Sequence, residues 1–548
     1  MKNIFNLLSN KFKKQFYLLM VLMLFASILE MLGISLIIPV IISLLDKNIF
    51  NKYPILEDFN ILLNYPTNQE LIFISILLFG VIYILKNLYF LFFYTVESRL
   101  LASIFENISQ NLYSTYINQP YNYYLKINTS EIINRFRSDL PAVRSSLIAL
   151  STIFTEIFII LGILSFLIIY NPKVLISVFI LVSFFSYLFF FFFKNKFKTL
   201  GNERQITENT RSKIFQETFA AIKEIKVSKL ENIFKINYER ISEKLKNNTA
   251  DYTFLNHLPR IFFETLAVLI LVLIVTITII FTSEDITNSI TTLGVFAGAS
   301  FKFLPSANRL IGSFNKIKYM DKSIIKLNED LDLDENSSIE NIKKFYSEEL
   351  VSVDYYYGEK KIFHNLNFKV NSKDKIFIYG ETGSGKSTLI DILLGLKKIN
   401  HGKIFVNGKD FSGHNFSFNK ILGYVPQKVF LFDESIKNNI TLFQNLSNEE
   451  LLIKSIKHSK LIKFIDSLKE GYNSYVGQDG IRISGGQKQR IGIAREIFKN
   501  PDFIIFDEST SSLDLETERD FLNDFLKTNE DKTIIFISHN QNLKKHFK

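Results

Sequence analysis

Six stretches of apolar residues, each long enough to cross a membrane, constrain the fold of this chain more than any other feature. They lie at residues 16–45, 71–94, 147–170, 174–193, 261–282 and 286–303. A transmembrane helix needs about 20 mostly apolar residues to cross the hydrocarbon core. We therefore predict six transmembrane helices, of which the sixth is the least apolar because it contains Thr, Gly and Ser residues.

The loops between these stretches alternate in length and charge. Loops 97–146 and 194–260 are long and rich in Lys and Arg. The short or sparsely basic loops are 46–70, 171–173 and 283–285. Because basic loops stay on the cytoplasmic side of a membrane, we expect the two long loops and both termini to be cytoplasmic. Residues 1–16 mix apolar side chains with lysines and lack a small-residue cleavage site, so we expect a short interfacial helix and not a cleaved signal.

The charge and composition of the chain exclude some classes of partner and site. The net charge of +10 is the ordinary result of basic cytoplasmic loops that meet anionic lipid, so we expect membrane lipid as a partner and no nucleic acid. The chain has no cysteine, which excludes disulfide bonds and thiolate metal sites.

The chain changes character after the sixth apolar stretch. Residues 316–345 are polar and contain several Asp and Glu residues, and residues 346–548 alternate short apolar strands with helical patterns. We therefore divide the chain into a transmembrane domain at 1–315, a linker at 316–345 and a soluble α/β domain at 346–548.

A glycine-rich loop in the soluble domain follows an apolar strand at 375–379 and precedes a helical pattern at 389–394. In this context a Gly-x-x-x-x-Gly-Lys-Ser spacing binds nucleotide phosphates. The glycines let backbone N–H groups surround the phosphates, Lys386 reaches the β and γ oxygens, and Ser387 offers its hydroxyl to Mg²⁺. The residues that we predict to bind nucleotide in this loop are Gly380, Gly383, Ser384, Gly385, Lys386, Ser387 and Thr388.

A second apolar strand, at 503–506, ends in two acidic residues, Asp507 and Glu508. This pair suits one carboxylate that binds Mg²⁺ and a neighbour that polarises the attacking water. Together with the glycine-rich loop, the pair predicts ATP hydrolysis with ATP and Mg²⁺ bound and Glu508 as a catalytic residue.

A Ser-Gly-Gly-Gln element lies between these two motifs and opens a helix. Its residues are Ser484, Gly485, Gly486 and Gln487. Here the chain resembles the ABC (ATP-binding cassette) transporter family, whose signature is this element placed just before the second acidic strand. The resemblance covers the whole chain, because a half-transporter of the exporter class has six spans followed by one such domain. It implies a polytopic α-helical membrane domain fused to an α/β P-loop ABC nucleotide-binding domain.

The resemblance also implies roles for residues outside the glycine-rich loop. It makes Tyr357 the aromatic residue that stacks on adenine, and Gln427 the sensor that touches both Mg²⁺ and the membrane domain. His539 becomes the histidine that contacts the γ-phosphate, and Asp514 becomes the D-loop residue. The implied Mg²⁺ ligands are Ser387, Gln427 and Asp507.

In this family the signature element closes over the nucleotide of a partner chain, so the resemblance implies two ATP sites between two chains. Both the glycine-rich loop and the signature are intact here, and we expect a homodimer. The two long cytoplasmic loops resemble the coupling loops of the family, with short helices near 121–130 and 215–225 that rest on the nucleotide domains. The fused order of the domains favours export over import.

Four basic residues lie in or beside the predicted spans: Lys86, Arg260, Lys302 and Arg309. Ionisable groups at membrane depth usually face a cavity or each other. Around a cavity, these cations suit an anionic head group such as a pyrophosphate. The alternative is internal pairing with acidic residues, for which the candidates are Glu30, Glu156 and Glu264. Arg260 and Glu264 have the i, i+4 spacing of a local salt bridge.

With these cations, and with an apolar helix expected in the external loop 46–70, the chain resembles bacterial lipid-linked oligosaccharide flippases of the protein-glycosylation type. This resemblance implies that ATP drives a polyprenyl-pyrophosphate-linked oligosaccharide from the inner to the outer leaflet of the bacterial inner membrane. Two alternatives remain open. One is an exporter of lipid A, peptides or hydrophobic drugs, and the other is a regulatory or channel-like protein that is gated by ATP.

Overall fold

The chain folds into two units. The first comprises Met1–Gln119 and Ile127–Leu333, and the second comprises Pro120–Lys126 and Asp334–Lys548. The computed structural model describes residues 2–35, 68–170, 172, 191, 195–281, 286–333, 340–381, 383–412, 416–444, 449–510 and 515–547.

Helices form the described part of the first unit. The helices up to Leu331 are α1 Lys2–Asn6, α2 Asn10–Ser35, α3 Asn68–Ile117, α4 Tyr121–Lys126, α5 Thr129–Asn134, α6 Leu140–Tyr170, α7 Lys196–Ala220, α8 Ile222–Ser228, α9 Glu231–Phe281 and α10 Ile286–Leu331, with a π-helical turn at Arg135–Asp139. Helix α4 belongs to the second unit, although its neighbours in sequence belong to the first. It falls in the loop segment 121–130, where we predicted a short coupling helix.

Three helices in the described part of the chain are long and apolar enough to cross a membrane. They cover Asn10–Gly33, Ile76–Ile117 and Thr129–Ile169. The predicted span at 261–282, apart from residue 282, falls on α9, and the span at 286–303 falls on α10. The predicted span at 174–193, apart from residue 191, and the external loop at 46–70, apart from residues 68–70, lie outside the described residues. The number of six spans therefore stays a prediction.

The longest helices exceed the thickness of a bilayer. Helices α3, α9 and α10 contain 50, 51 and 46 residues. At a rise of about 1.5 Å per residue they measure roughly 70–75 Å, whereas the hydrocarbon core is about 30 Å thick. Each helix therefore extends well beyond the apolar layer, and its polar part packs with other polar helices.

A buried arginine organises that polar part of the first unit. Arg135, only 2% exposed, lies in the π-helical turn. Its Nε donates to Asp330 of α10 at 2.5 Å, and its Nη1 donates to Asp139 at 2.9 Å. A buried charge is tolerated only when it is paired and hydrogen-bonded. The two carboxylates meet that requirement and fix the turn against α10.

Neutral donors complete this network. The Tyr116 hydroxyl of α3 donates to Asp330 at 2.9 Å. Gln205 of α7 and Ser323 of α10 donate to the same oxygen of Asp139, at 3.1 and 2.6 Å. The network therefore joins α3, α7, α10 and the π-helical turn through one set of buried polar groups.

The segment that we predicted to be a linker, 316–345, begins inside the last long helix. Residues 316–331 are helical, and Tyr319, Ile324 and Leu327 are buried. A Cβ at Gly201 of α7 would lie 2.1 Å from the Tyr319 carbonyl oxygen, so the backbones of α7 and α10 approach closely at this point. The polar composition that suggested a linker belongs to a helix whose acidic residue Asp330 is used in the buried network.

The second unit contains ten strands and the remaining helices among its described residues. The strands are β1 Glu340–Asn341, β2 Ser347–Tyr357, β3 Lys360–Asn371, β4 Lys375–Ile378, β5 His401–Val406, β6 Lys409–Asp410, β7 Phe416–Ser417, β8 Leu422–Val425, β9 Phe503–Asp507 and β10 Thr533–Ile537. The α-helices are α11 Lys386–Leu393, α12 Ile436–Thr441, α13 Glu449–His458, α14 Ile462–Asp466, α15 Gly485–Lys499 and α16 Leu515–Thr528.

Two four-stranded sheets form the frame of this unit. Strands β4, β10, β9 and β8 make a parallel sheet in that order, and β3, β2, β5 and β6 make an antiparallel sheet. Every residue of β9 and β10 is buried. Parallel strands covered on both faces are typically continuous apolar runs, and the sequences FIIFD and TIIFI fit that pattern.

One carboxyl group is buried in the antiparallel sheet without a partner. Glu348 of β2 is fully buried, and neither of its side-chain oxygens has a hydrogen-bond partner. Burial raises the pKa of Glu348 well above the usual range of a carboxyl group. Burial therefore favours the neutral form of this group in the folded unit.

We expect Glu348→Met to raise the free energy of unfolding of the second unit by about 1–3 kcal/mol at neutral pH, because it removes a buried unpaired polar group. The raised pKa of Glu348 also makes stability fall as pH rises above the ordinary carboxyl range, because the unfolded chain releases a proton that the folded chain keeps. Calorimetric unfolding midpoints of the full chain in detergent at pH 5, 6.5 and 8 measure both effects.

The matched control for this prediction is Glu349→Gln, because Glu349 is the next residue on β2 and its carboxylate pairs with Lys369 at 3.2 Å near the surface. We expect that variant to keep the pH dependence of the wild type. Equal midpoints for wild type and Glu348→Met at all three pH values would contradict the burial of an unpaired acid.

Candidate functional site

The glycine-rich loop connects β4 to α11 as predicted from the sequence motif. Gly383 and Gly385 have φ values of 86° and 95°, a region that side chains with a Cβ rarely adopt. A Cβ at Gly385 would also lie 2.7 Å from the ring of Phe363. The loop therefore requires glycine at this position to bring its backbone N–H groups to the start of α11.

The first turn of α11 carries a lysine, Lys386, and two hydroxyl side chains, Ser387 and Thr388. Lys386 Nζ donates to the carbonyl oxygens of Gly380 and Glu381, at 2.8 and 3.0 Å, so its ammonium group lies over the loop. Ser387 is exposed in the first turn, whereas Thr388 is buried. Ser384 is exposed within the loop. The loop thus presents N–H, ammonium and hydroxyl donors to one place, which is what a polyphosphate binds.

Three side chains of the second unit converge on the carboxylate of Glu508. Its carboxylate accepts from Gln427 Nε2 at 2.7 Å, lies 2.6 Å from His539 Nε2 and lies 3.7 Å from Lys386 Nζ. Glu508 has φ of 46°, a strained value for a residue that is not glycine. Such strain is often found where a side chain is held for a functional purpose.

Asp507 lies beside Glu508 but points into the unit. It is 7% exposed and accepts a hydrogen bond from the Tyr424 hydroxyl at 3.1 Å. Burial raises the pKa of Asp507, and the hydrogen bond from Tyr424 opposes that effect. Tyr424 was not among the site residues predicted from the sequence. It lies on β8, beside Ile505 of β9 in the register of the sheet.

The signature element starts helix α15. The Ser484 hydroxyl accepts from the Gln487 backbone N–H at 3.4 Å, and the Gln487 side chain accepts from the Ser484 N–H at 2.8 Å. This reciprocal pair is a capping box, and it fixes the first turn of the helix. Ser484 and Gly485 are exposed and Gly486 is half-buried. The element thus offers its N-terminal turn to the surface of the chain.

Two predicted nucleotide-binding residues remain, Tyr357 and Asp514, and the structure describes only the first of them. Tyr357, at the end of β2, is 47% exposed, whereas Tyr355 two residues earlier is 8% exposed. Tyr357 therefore has the freer ring of the two. Asp514 lies outside the described residues.

A cavity of about 710 Å³ lies in the first unit and contains three of the four predicted substrate cations, Lys86, Lys302 and Arg309. Aromatic rings line it as well, from Tyr83, Phe90 and Tyr94. Arg260 is absent from the described lining. Its side chain is 70% exposed, and its Nε lies 3.8 Å from Glu264 Oε2. The local salt bridge that we gave as the alternative for Arg260 is present.

Carboxylates of the chain pair with the cations of this cavity. Glu30 binds two lysines at once: Lys86 Nζ lies 2.8 Å from its Oε2, and Lys302 Nζ contacts its Oε1. Arg309 binds Glu156 through two nitrogens, one of them 3.2 Å from Glu156 Oε2. Lys86 is 4% exposed, whereas Lys302 and Arg309 are 41% and 54% exposed. The pairing that we predicted as an alternative for Glu30 and Glu156 is therefore present.

Comparisons with known proteins agree with this architecture. The profile of the ABC transporter transmembrane region matches residues 16–300, and the ABC transporter profile matches residues 363–511. A solved bacterial Atm1-family ABC exporter with ATP bound superposes with a TM-score of 0.79 at 20% identity, over 98% of this chain and 92% of that chain. The predicted fold class, a membrane domain fused to an ABC nucleotide-binding domain, is confirmed.

Curated relatives resemble a part of the chain. A Rickettsia bellii protein, provisionally named an export ATP-binding/permease protein, is 35% identical over 251 residues, which is 45% of this chain and 42% of that protein. A Bacillus subtilis protein, provisionally named for multidrug export, is 36% identical over 190 residues, which is 34% of this chain and 33% of that protein. The chain thus spans less than half the length of these relatives. Because the transmembrane-region profile alone matches more than half of the chain, the protein belongs to the ABC transporter family.

Proposed function

We propose that two copies of this chain form an ATP-driven exporter in a bacterial inner membrane, with the second units in the cytoplasm. The observation that carries the proposal is the convergence of Lys386, Gln427 and His539 on the Glu508 carboxylate, next to Asp507. This arrangement supplies a base for water, donors for phosphate oxygens and a neighbouring acid for a metal ion.

The groups of this site fit ATP and Mg²⁺. Mg²⁺ prefers oxygen ligands, and it commonly takes one or two carboxylates together with substrate phosphates. Ser387 and Asp507 offer a hydroxyl and a carboxylate. Gln427 donates its side-chain N–H to Glu508, and its side-chain oxygen is the third group that could bind Mg²⁺. When bound, Mg²⁺ would neutralise phosphate charge.

The chain's own groups divide the work of hydrolysis. Lys386 neutralises and holds phosphate oxygens, as the ammonium group over the loop allows. Glu508 accepts a proton from the attacking water, and His539 and Gln427 hold its carboxylate in place. His539 also offers a donor where negative charge builds in the transition state.

The exposure of the signature element supports the proposed homodimer. Ser484 and Gly485 are exposed, and the hydrogen bonds of Ser484 and Gln487 close on each other within α15. An N-terminal helical turn of this kind binds anions well. We propose that it completes the ATP site of a second copy of the chain, as the family resemblance implies.

We expect Glu508→Gln to lower the ATPase rate by about 100-fold or more, since a positioned general base contributes roughly 10²–10⁴ to a rate. The affinity for ATP should stay close to that of the wild type, because Gln keeps the shape of the side chain. Phosphate release and binding of a fluorescent ATP analogue by the purified protein measure the two quantities. The control is Glu530→Gln, at an exposed acid. An unchanged rate in Glu508→Gln would refute the assignment.

We propose that the cavity of the first unit holds the cargo, and that the cargo is an amphiphile with an anionic head group. Two lysines share the single carboxylate of Glu30. If Lys302 turns to a ligand, Lys86 still pairs with Glu30, so no buried charge is left without a partner. Lys302 and Arg309 are also the more exposed cations, whereas Lys86 is buried.

The finer proposal is a polyprenyl-pyrophosphate-linked oligosaccharide that is flipped between leaflets. A pyrophosphate suits charge-assisted hydrogen bonds from Lys302 and Arg309, and the aromatic rings of the lining suit an isoprenoid chain. The second candidate is an exporter of lipid A, peptides or hydrophobic drugs. The observation that favours it is the charge of the described lining, where Glu30, Glu97 and Glu156 offset most of the positive charge of Lys86, Arg144, Lys302 and Arg309.

We expect Lys302→Gln to lower ATP-dependent transfer of a polyprenyl-pyrophosphate oligosaccharide in proteoliposomes by at least about tenfold, the cost of one charge-assisted hydrogen bond. ATPase activity without cargo should persist. Arg260→Gln is the matched control, since Arg260 lies away from the cavity lining that the structure describes, and we expect it to transfer cargo like the wild type. Equal transfer by Lys302→Gln and wild type would contradict the anion site. Transfer of apolar drugs in place of the glycan lipid would favour the second candidate.

A further inference from the structure

A buried lysine lies against the ring of Tyr357. Lys397 has a side chain that is 5% exposed. Its Nζ lies 4.7 Å from the centroid of the Tyr357 ring and donates a hydrogen bond to the Tyr357 hydroxyl. It also lies 5.9 Å from the ring centroid of Tyr355, which meets Tyr357 edge to face at 5.3 Å. The exposed tyrosine ring is therefore held by a cation and by a second aromatic ring.

An acidic residue of the phosphate-binding helix holds this lysine in turn. Lys397 Nζ lies 2.8 Å from Asp391 Oδ2, and the Lys397 backbone N–H donates to the Asp391 carbonyl oxygen at 3.1 Å. Asp391 lies on α11, five residues after Lys386. Burial on its own would lower the pKa of Lys397, but the hydrogen bonds with Asp391 and Tyr357 outweigh it and raise that pKa. Lys397 is therefore a cation.

A continuous set of contacts thus joins the phosphate loop to the tyrosine. It begins at Lys386 over the loop, follows α11 to Asp391 and reaches Tyr357 through Lys397. The Lys397 side chain is 5% exposed, so its polar contacts with Asp391 and Tyr357 are stronger than they would be in water. The contacts fix how far the tyrosine ring lies from the start of α11.

We propose that Lys397 is a positioning residue for nucleotide binding, which holds the Tyr357 ring at the place and tilt that a purine base needs. The proposal rests on the proposed function and on the role that the family resemblance implies for Tyr357, which is to stack on adenine. A ring that is already fixed by a hydrogen bond and an aromatic contact loses little freedom when a base stacks on it, so the free energy of binding is more favourable. Lys397 therefore affects binding of the base through Tyr357, whereas the glycine-rich loop binds the phosphates.

Competition binding on the full-length protein with Mg²⁺ tests this division between base and phosphates. Two probes are compared, ATP and inorganic tripolyphosphate, which has no base. We expect Lys397→Met to weaken ATP binding by about tenfold, on the scale of one hydrogen bond from a charged donor. Tripolyphosphate binding should be unchanged. Lys397→Arg keeps the charge and should restore ATP binding to within about threefold of the wild type.

Two further variants keep the test decisive if Lys397→Met folds poorly. Tyr357→Phe keeps the exposed ring and removes only the hydroxyl that accepts from Lys397, so we expect it to weaken ATP binding by a few fold and to spare tripolyphosphate. Lys403→Met, at an exposed lysine of β5, is the matched control and should bind both probes like the wild type.

Several results would overturn the proposal. Equal losses of ATP and tripolyphosphate binding in Lys397→Met would mean that the lysine supports the loop and not the base. Unchanged binding of both probes in Lys397→Met and Tyr357→Phe would mean that the contacts between Lys397 and Tyr357 do not affect nucleotide affinity. Wild-type ATP binding by Tyr357→Leu would remove the base role of Tyr357 and this proposal with it. That last result would leave the ATPase assignment, which Glu508→Gln tests, standing.

Discussion

Parallel pairing of four strands in the second unit is the constraint on which the candidate ATPase site depends. In the register of this sheet Ile537 lies beside both Ile378 and Asp507, and Val425 lies beside Phe506. The strands therefore end at one edge, and the residues that follow them meet there. Lys386, Gln427 and His539 come from three separate parts of the sequence, yet their side chains all lie within 4 Å of the Glu508 carboxylate.

Charge pairing is the corresponding constraint in the first unit. Polar groups removed from water must find partners, and this chain provides them across helices that are far apart in sequence. Arg135 and Asp330, 195 positions apart, fix the polar end of α10. Glu30 and Glu156 do the same for the cations of the cavity. The described cavity lining therefore has one more cation than carboxylates, and the two lysines on Glu30 leave one of them able to turn to a ligand.

The sequence predicted the features that depend on local pattern. Apolar strands and fixed motif spacing indicated the phosphate loop, the acidic pair and the fold class, because each is decided by residues close together in the chain. Features that depend on distant partners were missed or misjudged. Lys397 had no signal of its own, since its role comes from contact with Tyr357 across the unit. Residues 316–331 looked like a linker, because the sequence does not reveal that Asp330 is buried against Arg135. For Arg260 the sequence left two possibilities open, the cavity and a local salt bridge with Glu264, and the structure has the salt bridge.

ATP-driven export of a cargo held in the cavity, as proposed, requires that ATP binding changes the side of the membrane to which the cavity opens. The chain has no native cysteine, so Thr152→Cys, which lines the cavity, gives a single reactive thiol in a Glu508→Gln background. Labelling by a membrane-impermeant maleimide in oriented proteoliposomes measures its accessibility from each side, with Glu530→Cys as a control that reports the cytoplasmic side. The account predicts labelling from the cytoplasmic side without nucleotide and from the opposite side with ATP and Mg²⁺. Labelling from the same side, at the same rate, with and without ATP would contradict it.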